Sequence, residues 1–504
     1  MGVRPIVLVA VVALALPLLM AGTASAVAVV PTPRVAPPFR LAIQHWPVPV
    51  SGVVAVGPPP AGTPSPIPPP GLGVIAPVVI LNLTPIGAQY RVTHSDRAQN
   101  EVSVAVNPRD ARNIVVSAND WRGVSGDAWC GVYATKDGGF TWTEQLVPRT
   151  GPFLLVGASG DPSVAFDADG NVYQGCLGFN RDGSENIIAV SKSTDGGITW
   201  QTAAQVAGTT PNVFHDKPYM GVDRSTGPTR GNVYVTWTRF LYDAGGNYIE
   251  SPIYFSRSTD GGLTFSAEKD ISGTYRYDQG SQPVTGPAGE LYVSWVAGAA
   301  IDRVVFTKSL DAGLTWTSAT ALAMFYDPGE LYGGVPRTPH FPSIVVNPVN
   351  APTGNRVHVV WADRRWGDAD IAMSSSSDGG ATWSIPLRVN DDAGPNAQFF
   401  PWVSASETGR VDIEFYDRRD DPADRLLVDY VASSFDFGAT IAWNLRASAQ
   451  FDPGDWFIGD YNGIASQGAF AYPGWCDLRN DGELEIYIAG PPMFVKTGPP
   501  SVFP

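Results

Sequence analysis

Ser193-Thr194-Asp195-Gly196-Gly197-Ile198-Thr199-Trp200 is the stretch that most constrains this chain, because it recurs. Thr135 to Trp142, Ser258 to Phe265, Ser309 to Trp316 and Ser376 to Trp383 repeat its Ser/Thr-x-Asp-x-Gly-x-Thr-Trp/Phe pattern. A degraded sixth copy runs from Ser434 to Thr440, with Ile441 in the aromatic place. The aspartates are Asp137, Asp195, Asp260, Asp311, Asp378 and Asp436, separated by 58, 65, 51, 67 and 58 residues. Such a period marks a repeat architecture. The motif has the chemistry of a tight β-turn. Asp and Ser/Thr side chains bond the turn's own N–H groups, Gly accepts positive φ, and Thr-Trp opens a strand. These aspartates are therefore expected to be structural.

A second element precedes each turn. Val102-Ser103-Val104-Ala105-Val106 aligns with Pro162-Ser163-Val164-Ala165-Phe166, and the series continues at Pro218, Pro283, Pro342, Pro401 and Tyr461. Another strand follows, often ending in an aromatic: Val233 to Trp237, Leu291 to Trp295, Val357 to Trp361, Val411 to Phe415. A third strand leads into the Asp turn, and the turn opens a fourth. Four strands in each repeat make a β-propeller blade. With no long helical periodicity, the expected class is all-β. There are seven leading elements but six Asp turns. The last repeat, Gly459 to about Gly490, stops after its third strand, Leu484 to Ile488. Tyr90-Arg91-Val92-Thr93 resembles the fourth-strand segment Leu387-Arg388-Val389-Asn390. The sequence predicts a seven-bladed propeller over 89–490, its ring closed by an N-terminal strand. A six-bladed ring with one unit peeled off is the alternative.

The six turns have the pattern of Asp boxes, and the chain resembles the Asp-box (BNR-repeat) β-propellers, of which the sialidases are the best-known members. The resemblance implies a glycan-directed protein, in its enzymatic form an exo-sialidase-type hydrolase, with its site on the face opposite the Asp turns. A sialidase needs an arginine triad for the substrate carboxylate, a tyrosine nucleophile backed by a glutamate, and an aspartate as acid/base. The family's Arg-Ile-Pro motif opens its first blade, and here that place reads Asn100-Glu101-Val102, so the motif is absent. Tyr461, in Asp460-Tyr461-Asn462-Gly463, stands where the family's tyrosine opens its last blade. Asp127, in Ser125-Gly126-Asp127, resembles the aspartate of the first blade's second-to-third-strand loop. Tyr461 and Asp127 are the catalytic residues that this resemblance implies. Sialidases have six blades, so the likeness is one of blade type.

Four second-to-third-strand loops begin with Asp-x-Arg: Asp120 and Arg122, Asp363 and Arg365, Asp417 and Arg419, Asp477 and Arg479. They come from blades one, five, six and seven, which are contiguous in a closed ring. Guanidinium forks there can hold a carboxylate or sugar hydroxyls. The other reading is that each Asp bonds its own Arg and staples the ring. His215, Asp216, Lys217 and His340 are weaker acid–base candidates at strand starts. Asp167-Ala168-Asp169-Gly170 resembles part of a calcium loop but lacks the distal Glu. No metal and no cofactor are expected. Two other functions fit: a non-catalytic surface-binding or assembly scaffold, and a propeller polysaccharide lyase.

The formal charge of −15 argues against nucleic acid as a partner. The expected partner is a glycan or other surface ligand, and the protein is read as a monomer. Met1 to Ala26 reads as a secretory signal peptide, with Arg4, an apolar stretch from Ile6 to Met20, and Ala24-Ser25-Ala26. That apolar stretch is short for a membrane span, so the protein is expected to be secreted. Residues 27–88 are Pro-rich and read as an extended spacer or disordered lead. Asn82-Leu83-Thr84 is a glycosylation sequon, and 491–504 reads as a tail. Of three cysteines, Cys130 and Cys176 are the expected pair, leaving Cys476.

Overall fold

The structure, a computed structural model, describes residues 88–490 apart from 124–125, 299–301, 328–334, 336, 348–355, 455 and 481. The expected signal peptide, the sequon, the tail and the Pro-rich segment up to residue 87 lie outside the described residues. Seven antiparallel four-stranded sheets follow one another as blades of a propeller. Blade one is Gln99–Val106, Ile114–Asp120, Trp129–Thr135 and Thr143–Leu146. Blades two to six repeat that order with innermost strands Ala158–Phe166, Val213–Val222, Asp278–Thr285, Ser343–Val346 and Gln398–Ala405. Blade three carries an extra short strand, Tyr248–Glu250, on its second strand. Blade seven is Gly463–Gln467, Phe470–Asp477 and Glu485–Gly490, completed by Ala88–Arg91. The register pairs Ala88 with Gly490 and Arg91 with Tyr487. The N-terminal strand closes the ring, as the sequence predicts.

Second strands are buried on both faces because each blade lies between two others. They therefore read as continuous runs such as Val-His-Val-Val-Trp, with every residue buried. Trp237, Trp295, Trp361 and Trp475 are fully buried at equivalent places. A buried indole N–H needs a partner, and three of these four have one. Trp361 donates to Asp363 at 2.8 Å, Trp475 to Asp477 at 3.0 Å, and Trp237 to His215 Nδ1 at 3.0 Å.

Side chains also tie blade to blade along the axis. Ser103 Oγ accepts the Val164 N–H, Ser163 Oγ that of Met220, and Gln282 Oε1 that of Ile344. Ser343 Oγ accepts the Val403 N–H, and Ser404 Oγ that of Ser466. Edge N–H groups that would otherwise be orphaned around a narrow channel are thus satisfied.

The six Asp turns share one bonding scheme. In the turn at 193–200, Ser193 Oγ donates to Asp195 at 2.7 Å and accepts the Gly197 N–H at 2.8 Å. Thr199 donates its N–H at 2.9 Å and its hydroxyl at 2.6 Å to the same carboxylate. Asp137, Asp260, Asp311, Asp378 and Asp436 accept the equivalent Thr N–H and hydroxyl. Cys130 and Cys176 form a disulfide between blades one and two, and Cys476 is free and buried.

The alignment of leading elements needs two corrections. Each of blades one to four and six has a β-bulge in its innermost strand, between Asn100 and Ser103, Gly160 and Ser163, Asp216 and Tyr219, Gln279 and Gln282, and Phe399 and Trp402. The bulge places Ser281, not Pro283, level with Pro162 and Pro218. In blade seven Gly463 pairs with Gly474, which puts Asn462 at that level and Tyr461 one place earlier. Prolines misled the alignment because proline suits a bulge or an edge equally well.

Candidate functional site

In blades one to four and six the bulge directs one residue to the axis, on the face opposite the Asp turns, and in blades five and seven Phe341 and Tyr461 hold the equivalent places. In ring order these are Glu101, Asp161, Lys217, Gly280, Phe341, Phe400 and Tyr461. Glu101, Asp161, Lys217 and Phe400 have φ of 60°, 51°, 49° and 53°. Gly280 takes φ of 69° at the same place. Left-handed backbone is natural for Gly and costs other residues about 1 kcal/mol or more each.

Half of the ring is charged. Lys217 Nζ lies 2.9 Å from Glu101, 3.1 Å from Asp161 and 2.6 Å from Asp460. Arg337, from the connection between blades four and five, grips Asp460 with Nε and Nη2, each at 2.5 Å. Asn119 donates to Glu101 at 2.7 Å and accepts the Asp161 N–H at 2.9 Å. Asp216 accepts from Gln279 Nε2 at 3.0 Å. The Lys217 side chain is 1% exposed and that of Arg337 16%. The other half of the ring is aromatic. Tyr461 packs on Tyr219 at 5.4 Å and on Trp402 at 5.9 Å, with Lys217 over its ring at 5.3 Å.

Four carboxyls face two cations, and their proton affinities divide accordingly. Burial works against every charge here. For Asp161 burial is outweighed by the Lys217 charge together with hydrogen bonds from Glu101, Lys217 and Asp216, which hold the carboxyl at about 2. For Asp460 the Arg337 and Lys217 charges do the same. Burial prevails at Glu101, assisted by Asp161 and Asp460 and opposed by Lys217, so its carboxyl is pushed well up. Asp216 rises to about 8 through burial and the Asp161 charge. Lys217 stays protonated: its three carboxylates outweigh burial. Asp161 and Asp460 are thus the carboxyls of low proton affinity in the cluster, and Glu101 and Asp216 those of high affinity.

Tyr461 lies in this site, buried, its hydroxyl donating to the Pro162 carbonyl at 3.3 Å. Burial, then the charge of Glu101, pushes its phenol up. Asp127 is elsewhere, paired with Arg181 of blade two at 2.6 Å. The four Asp-x-Arg elements form local pairs. Arg122 meets Asp120 at 2.6 Å, Arg365 meets Asp363 at 2.6 Å, Arg419 meets Asp417 at 2.7 Å, and Arg479 donates through Nε to Asp477 at 2.7 Å. Each Arg N–H also caps its Asp in a two-residue turn. His215 is held neutral, lowered to about 4 by burial, with Trp237 donating to Nδ1 and the Gly208 carbonyl beside Nε2. His340 pairs with Asp327 at 2.9 Å. Sequence reasoning missed Glu101, Asp161, Asp460 and Arg337. For the first two, a signal was present in non-Gly residues directly ahead of the bulge. Arg337 stands in an irregular connection and carried none. Among the described residues no cluster of His, Cys, Asp or Glu is arranged to hold a metal, and no helix is long and apolar enough to cross a membrane.

No protein-family model matches the chain, and no curated protein matches it. Among solved structures, a Hadza microbial sialidase is similar at 16% identity, covering 76% of this chain and 74% of that one, with a TM-score of 0.44. The GH93 α-L-arabinofuranosidase of Fusarium graminearum, solved with arabinobiose, is 16% identical over 66% of this chain and 93% of its own, with a TM-score of 0.44. A PL25 ulvan lyase is 12% identical over 79% of this chain and 96% of its own, with a TM-score of 0.46.

Proposed function

We propose that this chain is an exported, glycan-directed propeller of sialidase-like type, and that its axial carboxyl cluster is an acid–base site for cleaving a glycosidic bond. The observation that carries this reading is the split in proton affinity between Glu101, pushed up by burial, and Asp161, held at about 2, with the Lys217 ammonium 2.9 Å from one and 3.1 Å from the other. Titratable groups whose environments push their proton affinities apart supply an acid and a base at one pH. Glu101 is the proton donor, Asp161 the ionised partner, and Tyr461 the residue in the place of the family's nucleophile. Arg337 is the more solvent-exposed of the cluster's two cations, and a substrate carboxylate would meet it first. The six turns are read as Asp boxes, and the Pro-rich segment as a spacer.

The test is release of sugar from a panel of aryl glycosides, sialosides included, by the purified chain and by Glu101→Gln and Tyr461→Phe. General acid catalysis contributes about 10²–10⁴-fold, so Glu101→Gln should lose turnover on that scale. Full activity in Glu101→Gln would overturn the assignment. A second reading, a binding scaffold, is favoured by the closed Asp-x-Arg pairs, whose guanidiniums already hold their own carboxylates. Absence of turnover on every glycoside would select it.

A further inference from the structure

The innermost strands enclose a second space on the axis, opening on the Asp-turn face. Its volume is about 560 Å³, within the range of small-molecule sites. Tyr219 and Trp402, whose rings meet at 5.4 Å, line it together. Arg224 and Glu407 also line it and are already engaged. Arg224 Nε donates to the Phe166 carbonyl at 2.8 Å, and Glu407 accepts the Gly468 N–H at 2.9 and 3.0 Å.

The walls favour hydrogen-bond donors. Val164, Met220, Ile344 and Val403 line the cavity, and each gives its N–H to a side chain of the preceding blade. In an antiparallel strand a residue's N–H and C=O point the same way. Four carbonyl acceptors therefore face the axis where the matching donors are already used. Gln282 spends its amide oxygen on Ile344, which leaves its NH₂ as a donor. Acceptor-rich walls, whose one arginine and one glutamate are already engaged, suit beside an aromatic pair an uncharged molecule that carries many hydroxyls and one apolar face. We propose that this cavity binds a polyhydroxylated, uncharged ligand of mono- to disaccharide size. The cavity opens on the other face and requires no turnover, although Tyr219 and Trp402 also pack on Tyr461 of the acid–base site.

The experiment titrates the purified chain with D-glucose, maltose and sucrose, following tryptophan fluorescence and calorimetric heat, with acetate and choline as charged controls. Saturable binding of at least one sugar, at about 10 mM or below, and none of either ion is expected. Ala165→Phe and Ala465→Phe narrow the cavity from two blades. Each should abolish binding while the melting temperature shows the protein folded, and using two walls keeps the test intact if one variant fails to fold. Trp402→Phe should diminish the fluorescence change and keep the heat. No saturable binding of any of the three sugars, or binding that survives in a folded filled variant, overturns the proposal. Glycoside turnover is measured separately, so failure here leaves the acid–base reading standing.

Discussion

Asp278 makes the stability of this propeller depend on pH in a direction opposite to the usual one. It starts the innermost strand of blade four and is fully buried. Burial raises its carboxyl from 3.8 to about 7, against the opposing influence of Ser272, Trp295 and Arg276, with Asp270 adding to the rise. The folded protein then holds a proton that the unfolded chain releases near pH 4. Stability from this group is complete below that point and declines as pH rises toward 7, since the folded state binds more protons across the window. Three units correspond to about 4 kcal/mol. Asp278→Asn keeps the shape and removes the titration. Urea unfolding of both proteins at pH 4, 5.5, 7 and 8 isolates the effect, because every other group titrates alike in the two. The variant should gain about 4 kcal/mol on the parent between pH 4 and pH 8. A difference between the two proteins that stays constant with pH would refute the reasoning.

Lys217→Met removes a cation from among buried carboxylates and should cost about 3–5 kcal/mol, read as a fall in urea midpoint. The double variant Cys130→Ser, Cys176→Ser opens a loop with a sequence separation of 46 residues. Chain entropy predicts a loss of about 4 kcal/mol, and reduction of the parent protein should reproduce the lowered midpoint. Asp195→Ala strips the bonds from Ser193 and Thr199 and should cost about 1–3 kcal/mol. Its glycoside turnover per folded molecule should match that of the parent, because the turn lies on the other face.

The blades were legible because their determinants are local. An Asp turn is specified within eight residues, and a second strand such as Val357–Asp363 declares its two-sided burial by an unbroken apolar run. Closure was legible for the same reason: a missing fourth strand at one end and an unpaired strand at the other. The disulfide followed from neighbouring blades. The axial cluster is different, because it is assembled across the ring. Lys217 and Glu101 are separated by 116 residues and Asp460 lies farther on still, so their meeting depends on a bulge that shifts register by one place. Reading Tyr461 as level with Pro162 rather than Asp161 hid the ring to which it belongs. The Asp-x-Arg pairs show the converse. Their pattern is conspicuous in sequence because it is local, and the same locality lets each arginine close on its own aspartate.

The backbone alone does not account for what stands at the bulges. Blade four meets the same turn of chain with Gly280, which takes φ of 69° without strain. Glycine at 101, 161 and 217 would serve the bulge equally and relieve about 1 kcal/mol or more at each. The chain instead carries Glu, Asp and Lys there, each strained and each buried, where charges are costly unless paired. Pairing makes the cluster tolerable but does not explain its presence, since apolar side chains fill the equivalent places in blades five and six at Phe341 and Phe400. Strain, burial and charge are all borne at three adjacent blades and at no others of the ring. Such a concentration fits side chains kept for what they bring to the axis: one cation that stays protonated, one carboxylate that stays ionised, and one carboxyl whose proton affinity burial pushes up.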